Sequence, residues 1–532
     1  MAQQSKKTIA VGSDVGNKHK WMISIAVLLG SFLSVMDASI VNVALPHMMG
    51  SFAQTLSAIT WVATSYSIAA IIVITMTGWL SMLIGRKTLY FASFVLFTVA
   101  SILCGTAKTF PQMIIYRIIQ GIGGGALIPI SQAILREIFP RKQHGMAMAL
   151  FGMGIVLAPA MGPILGGYLI DNYGWPWIFY INIPFSLVGI WMIYHYVHDP
   201  HYLKRGVQKI DWLGIGFLTI GLTALQIVLE RGQEKNWFDS SFIIGWSIVS
   251  SVSLIALVFW ELHTEEPIID LRILKNVPLA IGSTVVLLYG IALFGTTFIL
   301  PQFTQSLLGY SAYQSGLSLL PRAIALFIFM PLAGRLYNRV DAKVLIILGI
   351  GISCWSYWLL AHLSLNVAFP NLIPILLLMG GGMAFVFVPL STISLITISQ
   401  EKMTHATSFY TLMQRIGGNI GYAATVTILE RRIQLHRSHL VGNISASRGH
   451  FLNLYHMFTG YFHKNGYGPV HDRLGIFSLF DRLINQQAAM LSYNDLSWIF
   501  MLMFLFVTVF ILFLPHSKSA GKDVEEEVVL VD

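Results

Sequence analysis

The chain has 532 residues, of which 55% are apolar (AVILMFWYC) and only 11% are charged. Soluble domains carry about 25% charged residues, so these few charges cannot coat a water-facing surface of this size. Disordered, coiled-coil and disulfide-scaffold architectures fall away with the soluble ones, and an all-α polytopic membrane protein remains. The net charge of +9 would point to nucleic acid in a soluble protein, but here the placement of the charges matters more than their sum.

The chain opens with a polar tail, residues 1–21, carrying Lys6, Lys7, Lys18 and Lys20. The apolar run behind it is long enough to span and has no small-residue cleavage site after it, so it reads as an anchor. Fourteen stretches of about 20 residues, the length that crosses a bilayer, follow in order. They cover 22–44, 57–80, 88–106, 111–134, 145–169, 176–197, 211–229, 241–260, 278–300, 314–333, 343–363, 371–395, 405–428 and 496–514.

Lys and Arg set the orientation. With a cytoplasmic N-terminus, twenty of them fall on the cytoplasmic side and three, Lys108, Arg231 and Lys235, in short outer loops. Both termini, including the tail 515–532, are therefore expected in the cytoplasm.

The sequence repeats after about 256 residues. Gly78-Trp-Leu-Ser-Met-Leu-Ile-Gly-Arg-Lys87 follows span 2, and Gly334-Arg-Leu-Tyr-Asn-Arg-Val-Asp-Ala-Lys343 follows span 10. Span 4 carries Gly123-Gly-Gly125, Pro129 and Ser131; span 12 carries Gly380-Gly-Gly382, Pro389 and Ser391. The layout is 6+2+6: a six-helix half over 22–200, two inserted helices within 201–277, and a pseudo-symmetric half over 278–514. Parallel halves of this kind place a substrate site at their interface near the midplane. Glycines that merely allow close helix packing would explain one site, but not a shared register.

Ionisable groups inside spans are costly and mark function. Asp37 and Arg117 lie about seven and six residues from the outer ends of spans 1 and 4, both roughly 10 Å below the surface at 1.5 Å per residue. They can form a structural ion pair, or a proton site in which burial disfavours the carboxylate and the arginine favours it. The position matching Arg117 in the second copy is Pro374, so this chemistry belongs to one half. Asn42 and Gln120, one or two turns away, are candidates to bond this pair, to contact substrate or to hold helices together. Arg322 and Arg415 read first as structurally paired cations and second as coupling groups. Glu230 and Glu261 sit at span ends, and Glu230, beside Arg231, is the coupling candidate. In span 5, Pro159, Gly162, Pro163, Gly166 and Gly167 make a small-residue face with bends, a candidate for switching the cavity from side to side.

Cys104 and Cys354 lie in separate apolar runs and suggest neither a disulfide nor a thiolate metal site. The segment 429–495 exceeds every other outer loop. Its aromatic clusters, Phe451 to Phe462 and Leu474 to Leu483, read as amphipathic elements on the outer membrane face or as a docking surface. Its six histidines fit no zinc spacing, and no metal is expected.

Asp37-Ala-Ser-Ile-Val-Asn-Val-Ala-Leu-Pro46, Arg117-Ile-Ile-Gln-Gly-Ile-Gly-Gly125, Gly162-Pro-Ile-Leu-Gly-Gly167 and Trp175-Pro-Trp-Ile-Phe-Tyr-Ile-Asn-Ile-Pro184 resemble the motifs of the major facilitator superfamily, in its fourteen-span drug:H⁺ antiporter branch. The similarity continues through Trp260 to Asp270 and Arg415 to Gly421, so it covers nearly the whole chain. The resemblance implies efflux of lipophilic compounds across a bacterial inner membrane in exchange for protons, with no cofactor. It also implies a tripartite assembly with a periplasmic adaptor of the EmrA kind and an outer-membrane channel of the TolC kind. Asp37, Arg117, Glu230 and Arg415 would then be proton-coupling residues. Phe294, Phe298, Phe409, Tyr410 and Met413 would join Asn42 and Gln120 in lining a pocket suited to loosely specified apolar ligands. Gly78, Gly85, Arg86 and Lys87 match the family's gating loop, but Met82 and Leu83 stand where its Asp and Arg usually lie. The second copy, with Arg339 and Asp341, is a candidate to share the gating.

Three other classes compete. A narrow exporter of one metabolite, siderophore or lipid would use the same mechanism. A lipid-modifying membrane enzyme would need a Ser-His or His-Asp constellation at a membrane face, and none is found. A receptor or scaffold would be indifferent to loss of Asp37.

Overall fold

The computed structural model describes residues 17–199, 210–442, 455–459 and 469–515. Fourteen long helices run through them, one for each expected span. The first half holds α1 (Asn17–Ser51), α2 (Ser57–Ile84), α3 (Arg86–Thr106), α4 (Phe110–Ile138), α5 (His144–Tyr173) and α6 (Trp177–Tyr196). The insertion holds α7 (Trp212–Arg231) and α8 (Ser241–His263). The second half holds α9 (Val277–Ser306), α10 (Tyr313–Leu336), α11 (Ala342–Leu360), α12 (Phe369–Ser394), α13 (Met403–Gly442) and α14 (Pro469–Leu512). No strand occurs among the described residues.

Short polar side chains start several helices by accepting their first free N–H groups. Thr109 and Gln112 form a capping box ahead of α4. Asp211 accepts from the Gly214 N–H at 2.8 Å to open α7, and Asp341 accepts from Lys343 at 2.8 Å to open α11. Gly85 links α2 to α3 at φ +91°, a left-handed conformation that a side chain would resist.

The repeated triple glycine has the same task in both halves. A Cβ on Gly125 would lie 2.6 Å from the Ala70 carbonyl of α2, and one on Gly123 would lie 2.5 Å from the Phe97 N–H of α3. In the second half, a Cβ on Gly382 would lie 2.7 Å from the Gly349 carbonyl of α11, and one on Gly380 would lie 2.8 Å from Ala325 on α10. Lipid tails offer no hydrophobic drive between helices, so close backbone approach supplies the packing.

The halves meet along two pairs of helices, α5 against α10 and α2 against α13. These are each other's counterparts in the repeat. The inserted α7 and α8 pack on one another, and α7 rests on both α2 and α13. The face where α1 begins and α14 ends is called here the terminal face, and the opposite one the distal face.

Thirteen of the long helices are apolar enough to cross a membrane by composition. The exception, α13, is enclosed by α9, α14 and α2 and therefore tolerates Gln414, Arg415 and Asn419. Its 40 residues reach about 60 Å at 1.5 Å per residue, twice the roughly 30 Å hydrocarbon core. Residues 429–442 prolong α13 and residues 469–495 prolong α14, so these described ends of the segment 429–495 continue the spanning helices and differ from separate amphipathic elements. Asp495 holds the two together, 3.4 Å from Arg432 and 2.7 Å from His436, and Arg437 pairs with Asp481 at 2.9 Å. Phe458 packs edge-on against Phe480. The expected cluster members Phe451, Leu452, Leu454, Tyr461 and Phe462 lie outside the described residues, as do most of both tails.

Candidate functional site

The charged centre of the first half is a buried hydrogen-bond cage around Asp37. One carboxylate oxygen accepts from Arg117 Nη1 at 2.6 Å; the other accepts from Gln120 Nε2 at 2.9 Å and Asn182 Nδ2 at 3.0 Å. Arg117 also donates through Nε to the Val62 carbonyl at 2.9 Å and lies 4.3 Å over the Tyr66 ring. Gln120 further accepts from Arg117 Nη1 at 2.6 Å and donates to Ser101 at 2.8 Å. Asp37, Arg117, Gln120 and Asn182 are all fully buried. Arg117 and Gln120 are three residues apart on α4 and so share a face. The cage joins α1, α2, α3, α4 and α6, and a buried charge is tolerable only when paired and bonded in this way.

Sequence reasoning placed Asp37 and Arg117 at one depth, and the structure brings them together. Gln120 belongs to this cage and is fully buried in it. Asn182 was missed as a partner. Its only signal was its place in the Trp175–Pro184 segment, where an asparagine among aromatics reads as headgroup-facing.

Between the halves lies a cavity of about 210 Å³. Its walls come from α1, α4 and α5 on one side and α9, α10 and α13 on the other. Ala38, Ser39 and Asn42 enter it from α1, so the helix that holds Asp37 in the cage also forms the cavity wall one residue further on. Pro159 of α5, Phe294 and Thr297 of α9, Arg322 of α10, and Thr411, Gln414 and Arg415 of α13 complete its polar and aromatic edges. No carboxylate lines it among the described residues.

Of the expected lining residues, Asn42 and Phe294 face this cavity. Phe298 instead packs on Tyr422 at 4.5 Å in the seam between α9 and α13. Tyr410 is buried in the core beside the second-half helices, and Met413 packs against apolar clusters. Phe409 lines a smaller hollow near the terminal face with Asp270 and His405. An apolar helix exposes no sequence signal of which aromatic faces inward. Arg322 and Arg415, expected as structurally paired cations, meet no carboxylate among the described residues; both face the cavity.

Glu230 belongs to a second polar bridge. Thr64 of α2 donates to one of its oxygens and Gln226 Nε2 to the other at 2.7 Å, while Asn419 of α13 donates to Gln226 at 2.5 Å. Arg231 turns away, to Ser57 Oγ at 2.6 Å and Glu234 at 2.5 Å. The Ser57 hydroxyl, with Arg231 beside it, holds the Glu234 carboxyl below its ordinary range.

The terminal face is shut beneath the cavity. A Cβ on Gly145 of α5 would lie 2.7 Å from the Gly334 carbonyl of α10, and one on Gly334 would lie 2.7 Å from the Gly145 carbonyl. Gly78 of α2 abuts His405 of α13. Arg136, buried at the end of α4, donates to the Ser391 and Thr392 carbonyls of α12 at 3.2 and 3.1 Å. These are among the last four carbonyls of their helix, which lack intrahelical partners, at its partially negative end. Sequence reasoning did not single out Arg136.

The gating candidates divide. Arg86 pairs with Glu137 at the end of α4, so this loop forms a charge contact without the usual Asp. Lys87 donates its backbone N–H to Asp199 at 2.6 Å and its amine to the Tyr194 carbonyl at 2.9 Å. Gly162 and Gly166 pack on Ser39 and Ile40 of α1 within their own half, whereas Pro163 meets Gly316 of the other half. A Cβ on Gly167 would meet nothing within 4 Å. The Pro159 carbonyl accepts from Ser39 at 3.2 Å, and Asp341 caps α11; the backbone N–H of Arg339 bonds to the Leu336 carbonyl at 2.9 Å.

Comparison with known proteins gives the same architecture. The family model "Major Facilitator Superfamily" matches residues 27–422. The chain is 34% identical over 425 residues to the multidrug export protein EmrB of Escherichia coli K12, covering 80% of this chain and 83% of that one. It is 31% identical over 494 residues to the probable multidrug resistance protein EmrY of the same strain, with 93% and 95% covered. It is 32% identical over 424 residues to the fatty acid resistance protein FarB of Neisseria gonorrhoeae, with 80% and 83% covered. Among solved structures, the proton:xylose symporter XylE aligns with a TM-score of 0.60 at 14% identity over 94% of this chain and 97% of that chain. At that identity the likeness concerns the fold alone.

Proposed function

The chain belongs to the Major Facilitator Superfamily, and from that premise we propose that it is a proton-coupled multidrug efflux antiporter working by alternating access. The observation that carries this reading is the continuity of α1: Asp37 sits in the cage, and Ala38 and Ser39 line the cavity next to it. A proton taken by Asp37 weakens its bonds to Arg117, Gln120 and Asn182, because the neutral acid accepts less strongly than the ion. The α1 wall is then free to shift, and with it the cavity. Entry of a ligand favours the conformation in which its contacts are better, and the proton favours the other. Glu230, bridging α2, α7 and α13 through Thr64, Gln226 and Asn419, is a second proton-coupling candidate.

Transport family membership and the EmrB, EmrY and FarB relatives support export of lipophilic compounds, and the largely apolar cavity walls suit loosely specified ligands. The excess of Lys and Arg at the terminal face supports a cytoplasmic placing of that face in a bacterial inner membrane. The conformation described is then closed toward the cytoplasm, with Gly145 against Gly334. The paired extensions of α13 and α14 reach out on the periplasmic side, where a periplasmic adaptor and an outer-membrane channel would join in a tripartite pump.

The test is drug-driven proton movement in proteoliposomes, wild type beside Asp37→Asn. Flux in the wild type that the substitution abolishes supports antiport through α1. Undiminished flux in the variant overturns the role of Asp37, and no flux in the wild type across a broad panel of drugs overturns the multidrug reading.

A further inference from the structure

We propose that Arg322 and Arg415 form an anion subsite in the cavity, and that the preferred cargo is an amphipathic organic anion with a flat apolar body. This rests on the exporter reading of the same cavity. Other buried cations of the chain have a counter-charge. Arg117 has Asp37, and Arg136 has the carbonyl end of α12. Arg322 is 6% exposed, and its Nη1 has no hydrogen-bond partner among the described residues. Arg415 likewise has no ion pair or hydrogen bond among them, and both arginines are among the residues that line one cavity, which no carboxylate lines.

A cation inside the membrane is costly and is found paired or facing a water-filled cavity. Two in one cavity also repel each other, and an entering anion relieves both. Guanidinium groups suit this task because their planar fork binds a carboxylate or sulfonate through two parallel bonds. The two arginines come from α10 and α13 of the second half, whereas Asn42 and Ser39 of the first half offer neutral polar contacts. Leu293, Phe294, Ile155 and Leu326 offer apolar surface for the body of the ligand. The anion head therefore engages one half and its body spans both, the arrangement by which a ligand can favour one relative position of the halves.

The test uses the purified full chain and three size-matched probes, tritiated 1-naphthoate, 1-naphthamide and protonated 1-naphthylmethylamine. Naphthoate is expected to bind at least tenfold more tightly than either of the others. Arg322→Gln and Arg415→Gln are each expected to bring naphthoate to the level of the amide while amide binding stays within twofold, which also reports an intact cavity. Arg→Lys at either position is expected to fall between. Equal binding of the three probes by the wild type, tighter binding of the cation, or an unchanged naphthoate preference in both Gln variants would overturn the subsite. The wild-type comparison decides even where a variant does not fold. The exporter reading fails separately: naphthoate preference without naphthoate-driven proton flux in proteoliposomes sinks antiport and leaves the subsite standing. Flux driven by a lipophilic cation, with no naphthoate preference, does the reverse.

Discussion

Asn182 and Gln120 meet on a single oxygen atom of Asp37, at 3.0 and 2.9 Å, while Arg117 occupies the other oxygen at 2.6 Å. The carboxylate is thus held by three side chains from two helices of its own half, α4 and α6. Its charge is compensated without any contribution from the second half, in keeping with the lack of an arginine at the repeat-related Pro374.

Removing one partner of a buried ion pair leaves an uncompensated charge and costs about 3–5 kcal/mol, whereas replacing both is often neutral. Asp37→Asn should therefore lower the melting temperature of the purified protein, and Asp37→Asn combined with Arg117→Gln should restore most of it. Transport is expected to stay lost in the double variant. A double variant no more stable than Asp37→Asn alone would mean that Arg117 is stabilised chiefly by Val62 and Tyr66.

Asn182 tests whether the cage needs its α6 corner. Asn182→Ala deletes one hydrogen bond to a charged acceptor, worth about 1.5–3 kcal/mol, while Arg117 and Gln120 remain. The expected result is a folded protein with a lower melting point and drug-driven proton flux reduced several-fold. Flux equal to wild type would confine Asn182 to a packing role.

How much of this was legible differs from residue to residue, and for physical reasons. The spans were readable because a bilayer imposes a length and an apolar composition on each helix. Asp37 and Arg117 were readable because ionisable groups inside spans are few and these two share a depth. Asn182 was not, since a neutral amide near a span end has many innocent explanations. That Phe298, Phe409, Tyr410 and Met413 lie outside the walls of this cavity is not legible in the sequence, because helices surrounded by other helices and lipid are apolar all round, which hides the inward face. The outer segment read as separate amphipathic pieces because its charges interrupt the apolar pattern. In the fold those charges, Arg432, His436 and Asp495, join two continuous helices.

The seal at the terminal face depends on two hydrogen side chains, at Gly145 and Gly334. Gly145→Val would force a branched side chain into a gap where even a Cβ stands 2.7 Å from backbone. Such overpacking costs typically 1–3 kcal/mol, and it applies only to the conformation closed on this face. The population open there should rise by about 5- to 150-fold, the equilibrium change that corresponds to this energy. A cysteine at Ala149, which lies just behind the seal, would report it in a background with Cys104 and Cys354 changed to Ser. Labelling by a membrane-impermeant maleimide from the terminal side should accelerate in Gly145→Val. Arg136→Gln should act in the same direction by releasing Ser391 and Thr392. Unchanged labelling in both would show that the closed face does not depend on these contacts.

Glu230 lies where the inserted helix α7 joins both halves, bound by Thr64 of α2 and linked through Gln226 to Asn419 of α13. A carboxylate in that position is either a fixed strut or a proton carrier whose charge state alters the bridge. Glu230→Gln separates the two. Glutamine keeps the length and one oxygen acceptor, and the Thr64 hydroxyl has a backbone acceptor of its own in Thr60, at 3.1 Å. The melting temperature should therefore shift by no more than about 1 kcal/mol allows, the worth of one ordinary hydrogen bond. If Glu230 carries a proton during the cycle, drug-driven proton flux falls at least tenfold at unchanged stability. Asn419→Ala should lower stability and flux together, because it cuts the tie between α7 and α13 and leaves the carboxylate in place. Wild-type flux in Glu230→Gln would make Glu230 a strut and leave proton coupling to Asp37 alone.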